Sequence, residues 1–98
     1  MSEIATEKRC LAGLVKGRVQ GVFFRAETQA MARQLEVCGW VRNTVEGDVE
    51  VLLQGNAEAL AKMQDWLLIG PPRARVDAVQ LGDCISNAEV FTSFVIRN

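Results

Sequence analysis

A chain of 98 residues holds one domain, and eleven Lys and Arg against twelve Asp and Glu leave a formal charge of −1. There is no His, so Ser-His-Asp and Cys-His nucleophiles and imidazole-ligated zinc are excluded. Any reaction must run on Arg, carboxylates, amides, thiols or backbone groups.

Residues 1–8 (MSEIATEK) are polar and are expected to form a flexible N-terminus, with a single domain over 9–98. Residues 9–19 predict a strand. Leu11, Gly13 and Val15 share one face and Ala12 and Leu14 the other, so both faces are apolar and the strand should be central. Two glycines, Gly17 and Gly21, interrupt the chain before a helix predicted from Phe24 to Val37. Its stripe is Phe24, Thr28, Met31 and Leu35, and Gly39 stands at its stop. Trp40 to Val45 and Asp48 to Gln54 predict two strands around a Glu46-Gly47 hairpin turn. Asn56 is a good N-cap for a second helix with Leu60, Met63 and Leu67 inward, ended by Gly70-Pro71-Pro72. Ala74 to Gly82 and Phe91 to Ile96 complete the strands. The class is therefore α+β. The order is that of a ferredoxin-like βαββαβ sandwich, an antiparallel sheet with two helices on one face and a short extra C-terminal strand.

Cys10, Cys38 and Cys84 form no CxxC pair. Their odd number and the absence of a signal-peptide pattern point to a reducing, cytoplasmic setting, with all three as small buried hydrophobes. No apolar run approaches ~20 residues, so no membrane span is expected. The near-neutral total hides a gradient. Seven basic and two acidic residues between Lys8 and Arg42 give +5, whereas 43–98 carry −4. A basic first half in a neutral chain suggests a local anion site.

Two segments concentrate the chemical interest. In Gly17-Arg18-Val19-Gln20-Gly21-Val22-Phe23-Phe24-Arg25 the glycines let successive N–H groups turn inward and bind an anion beside a helix N-terminus. Arg25, in the first helical turn, opposes the helix dipole and becomes reasonable if an anion occupies the loop. A plain strand-to-helix turn with a solvated Arg fits these residues equally well, and the Walker pattern is absent. In Gly39-Trp40-Val41-Arg42-Asn43-Thr44, Asn43 is a poor strand residue. Either it positions a water or ligand, or it bonds locally near the Glu46-Gly47 turn.

Together these two strings resemble the signature segments of the acylphosphatase family. Gly47, Val49-Glu50-Val51, Gln54-Gly55, Gly70-Pro71 and Phe94-Val95-Ile96 are similar to that family too, over about residues 9–97. The resemblance implies a hydrolase that cleaves the carboxyl–phosphate bond of acyl phosphates without metal, cofactor or covalent intermediate. It implies a phosphate-binding loop over Gly17, Arg18, Val19, Gln20, Gly21, Val22, Phe23 and Phe24, completed by a catalytic Arg25. Asn43 would be the second catalytic residue. The implied partner is a small acyl phosphate, with phosphate or another anion in the loop, and a monomer is expected. Glu36 stands where the family has Gly, which suggests that the helix continues further. Glu46 replaces the commoner Asp, and Ile85 to Asn87 lengthen the last connection. Arg9, Arg18, Arg42, Arg97 and Lys16 read as solvated charge, and Trp40, Trp66, Phe91 and Phe94 as core.

Two other readings compete. RNA-recognition modules share the fold class, but they need exposed aromatics on the central strands. Residues 48–54 have none and carry two acids, so no nucleic-acid partner is expected. A non-catalytic anion-binding domain of the kind found in larger hydrogenase-maturation proteins would keep the loop without turnover.

Overall fold

The computed structural model describes residues 8–84 and 89–97. The expected flexible N-terminus, apart from Lys8, and the lengthened connection at 85–87 lie outside these residues. Strand β1 (Arg9–Arg18) leads to helix α1 (Phe24–Gln34). Strands β2 (Cys38–Asn43) and β3 (Val49–Gly55) form a hairpin. Helix α2 (Ala57–Ile69), β4 (Arg75–Asp83) and β5 (Phe94–Arg97) follow. The sheet order is β4-β1-β3-β2-β5. β1 is internal, as its two apolar faces require.

Four strands pair antiparallel, but β5 runs parallel to β2, with Gly39 opposite Phe94 and Val41 opposite Ile96. The sheet is therefore mixed, not antiparallel throughout. β4 ends on one edge and β5 must lie on the other, so the chain crosses the end of the sheet. Gln54 holds it there: its Nε2 donates to Glu89 O, and its Oε1 accepts from Phe91 N at 2.8 Å. Gln54 is accordingly buried although its side chain is polar.

Both helices pack on one face. Val15, Val41, Val49, Val51, Leu53 and Phe94 meet Phe24, Thr28, Ala32, Leu60, Met63 and Leu67 in a single buried cluster. The polar member, Thr28, turns its hydroxyl onto Phe24 O at 2.7 Å. Asn56 caps α2 by accepting from Ala59 N at 2.8 Å. Trp40 is not core. It is half-buried on the other face, with the Arg97 and Arg42 guanidinium carbons 4.9 and 5.7 Å from its ring centroid. Trp66 and Phe91 are also only half-buried, and Phe94 alone of the four is deep core.

Helix α1 stops sooner than the sequence suggests. Leu35 is its C-cap and Glu36 takes φ 62°. Glu36 N donates to Arg33 O and Val37 N to Ala32 O, which is the Schellman closure. Glu36 thus does the work of a glycine and does not extend the helix. The β2–β3 loop also differs. Thr44 N donates to Asp48 O and Gly47 N to Thr44 O, so Val45-Glu46-Gly47 is a three-residue loop with Gly47 at φ 96°. Val45 is consequently 99% exposed and not a strand residue.

Cys10 and Cys84 are joined in a disulfide, which corrects the expectation of three thiols. The antiparallel register of β1 and β4 sets Leu11 opposite Asp83, and Cys84 N donates to Cys10 O at 2.9 Å. Their separation of 74 residues conceals that proximity. Cys38 is free and half-buried.

Candidate active site

β1 and β2 are both antiparallel to β3, which lies between them. They run in the same direction, and their C-terminal ends emerge at one end of the sheet about 10 Å apart, two strand spacings. The loop after β1 and Asn43 at the end of β2 meet there. A cavity of about 290 Å³ opens between them, lined by Val19, Gly21, Phe23, Phe24, Arg25, Ala26, Asn43 and Ile96.

The loop is built by unusual backbone. β1 carries a register shift at Lys16/Gly17, and Gly17 has φ 131°. A Cβ there would stand 2.1 Å from Arg75 O. Only glycine permits β4 to approach so closely. Gly21 and Phe23 adopt φ 74° and 64°. Left-handed residues alternating in a short loop turn consecutive N–H groups to one side. Among the described residues, no backbone carbonyl accepts from the N–H groups of Gly21, Val22, Phe23 or Phe24. The N-terminus of α1 begins at Phe24 without a side-chain cap, which adds positive potential.

Arg25 is half-buried and makes no ion pair among the described residues. Asn43 Oδ1 is buried with no hydrogen-bond partner. That oxygen makes no hydrogen bond to the turn among the described residues. The cavity therefore combines a cation, unpaired N–H groups and one unpaired acceptor, and among the described residues no carboxylate lines it. Phosphoryl oxygens can be bound at the first two and a water held at the third.

Of the loop residues singled out by sequence, Val19, Gly21, Phe23, Phe24 and Arg25 line the cavity with Asn43. Gly17, Arg18, Gln20 and Val22 are not among its lining residues. Gly17 sits in the β1 bulge, Arg18 is exposed, and Val22 packs on the core. Gln20 turns to the hairpin, where its Nε2 donates to Thr44 O and Asp48 O at 2.8 and 2.7 Å. It ties the loop to the residues that follow Asn43. Lys16 pairs with Asp48 at 2.9 Å, and Arg42 with Glu50 at 2.6 Å, so neither is simply solvated charge. Ile96 joins the cavity because β5 pairs parallel to β2, a contact that strand alternation alone does not reveal.

The family model for acylphosphatases matches residues 11–96. The chain belongs to the acylphosphatase family. An acylphosphatase from Nitrosococcus oceani is 54% identical over 71 residues, 72% of this chain and 80% of that protein. The structure of an acylphosphatase from Coxiella burnetii superposes with a TM-score of 0.86 at 36% identity, covering 92% of this chain and 93% of that one. A Bacillus subtilis acylphosphatase structure gives 0.86 at 30% identity, covering 94% and 100%. The acylphosphatases matched in structure are thus of this chain's own size, and they share its ferredoxin-like α+β architecture of two helices on a five-stranded mixed sheet.

Proposed function

We infer that the chain hydrolyses the carboxyl–phosphate bond of acyl phosphates by in-line attack of a water held at Asn43, with the phosphoryl group gripped by the loop and Arg25. Its membership of the acylphosphatase family supports the reaction. The observation that carries the mechanism is the buried, unpartnered Oδ1 of Asn43 lining the same cavity as Arg25 and the loop.

An acyl phosphate is already activated, because its leaving group is a stable carboxylate. Positioning and charge compensation then dominate the barrier. The N–H groups after Gly21, the α1 N-terminus and the Arg25 guanidinium neutralise the phosphoryl oxygens. Asn43 Oδ1 accepts a hydrogen bond from the water and turns a lone pair toward phosphorus. The water oxygen bonds to phosphorus, and the bond from phosphorus to the acyl oxygen breaks. Its electron pair leaves with the carboxylate, and a phosphoryl oxygen takes the water proton. No step needs a protein acid, which suits a chain without His. The proposal is metal-free, because the loop N–H groups and the Arg25 guanidinium supply the charge compensation on the phosphoryl oxygens.

The test is hydrolysis of benzoyl phosphate in the presence of a chelator. Turnover is expected in EDTA, and absence of turnover unless a divalent cation is added would overturn the metal-free mechanism. The reading also includes a monomer and a cytoplasmic location. No helix among the described residues is long and apolar enough to cross a membrane. Light scattering and thiol trapping in intact cells test the two, since a reducing compartment acts on Cys10–Cys84.

A further inference from the structure

We propose that Phe23 and Ile96 form an apolar wall for the acyl group, so that the enzyme selects acyl phosphates with an apolar or aromatic acyl chain over those carrying a further charge. This rests on the proposed hydrolysis of acyl phosphates and names the substrate class of the same site.

Phe23 bears two costs at once. It is 72% exposed, and its φ of 64° is left-handed. The conformation costs about 1–2 kcal/mol in a residue with a Cβ, and a ring in water gains nothing in return. Nor does its side chain cap α1. An exposed, strained aromatic residue at a cavity has a physical reason if a ligand covers it.

Ile96 lines the same cavity from β5. It is 39% exposed. The parallel register sets it beside Val41 and on the helix-covered face, where Asn43 also points by alternation. Its neighbours Val95 and Arg97 face the other way.

The chemistry of the cavity agrees. Among the described residues Arg25 is the one cation that lines it, and no acidic side chain does. With Arg25 and the loop N–H groups on the phosphoryl oxygens, and Asn43 on the water, the acyl chain is left against Phe23 and Ile96. A second carboxylate or ammonium on that chain would lose hydration there without gaining a partner. A methyl group gains little by comparison with a phenyl ring.

The experiment compares kcat/KM for benzoyl, acetyl and succinyl phosphate in the wild type, Phe23→Ala and Ile96→Ala. The wild type is expected to favour benzoyl over acetyl by about tenfold or more, the scale of discrimination that an apolar contact gives, with succinyl lowest. Each substitution is expected to shrink the benzoyl-to-acetyl ratio by about fivefold, whatever happens to absolute turnover. In parallel, calorimetry measures Kd for benzoylphosphonate and acetylphosphonate, which need no turnover. The same ratio is expected to narrow in both variants. Equal selectivity in the wild type, or ratios that neither substitution moves, overturns the wall. Selective phosphonate binding without hydrolysis of any acyl phosphate would support the wall and overturn the proposed function.

Discussion

A buried amide oxygen without a partner is costly to a fold, by about 1–3 kcal/mol, and Asn43 Oδ1 is such an atom at the edge of a cavity. If it orients water, Asn43→Ala lowers kcat by about 10²–10³, the range for loss of one well-placed polar group, and leaves KM within about threefold. Its Tm should not fall below the wild-type value, because the side-chain oxygen holds nothing in the fold among the described residues. Steady-state kinetics and a thermal melt on one preparation check both. An effect on KM alone would remove Asn43 from the chemistry. Arg25→Ala should differ in kind. The guanidinium holds charge in ground and transition states alike, so the inhibition constant of inorganic phosphate rises together with the loss in kcat. An unchanged phosphate inhibition constant would show that Arg25 does not hold the phosphoryl group.

Elements in this chain are set by a few residues whose backbone is more informative than their side chains. The Schellman closure of α1 places Glu36 at φ 62°, where glycine is favoured. Glu36→Gly removes about 1–2 kcal/mol of strain and loses part of it to chain entropy. A net gain of roughly 0.5–1 kcal/mol is expected, and Tm rises by a few degrees. A fall in Tm would mean that Glu36 makes a compensating contact. The case also shows what sequence conveys and what it hides. The 4, 3, 4 spacing of Phe24, Thr28, Met31 and Leu35 located α1, and the Asn56 cap located α2, because apolar periodicity and caps are local. The pairing of β5 was not local. Four residues give no direction, so parallel addition to β2 and the arrival of Ile96 at the site stayed invisible. Arg25 and Asn43 were legible as residues out of place, a cation at a positive helix end and an amide in a strand. Each local signal still left a harmless alternative, and what the sequence did not convey is that both residues line one cavity, with Asn43 Oδ1 buried and unpartnered there.

At the scale of the whole molecule the two ends of the sheet have different tasks. One end carries the C-termini of β1 and β2 and the cavity. The opposite end carries the N-terminus of β1, the C-terminus of β4, the Cys10–Cys84 bond and the Gln54 grip on the crossing chain. The β1 strand that separates them is 10 residues long, roughly 33 Å at 3.3 Å per residue. Stability and chemistry should therefore respond separately to reduction. A bond closing 74 residues constrains the unfolded chain by about 4 kcal/mol in the loop-entropy treatment, which is a large share of the stability of a small domain. Dithiothreitol, or the paired substitution of Cys10 and Cys84 by Ser, is expected to lower Tm by some 15 °C or more. At a temperature where the reduced protein remains folded, kcat and KM for benzoyl phosphate should stay within about twofold of the oxidised form. Melting curves and kinetics with and without reductant distinguish the outcomes. A loss of kcat in the folded, reduced protein would show that the far end of the sheet communicates with the cavity. The path open to such communication is β5, which follows the crossing chain beside Gln54 and carries Ile96 into the site.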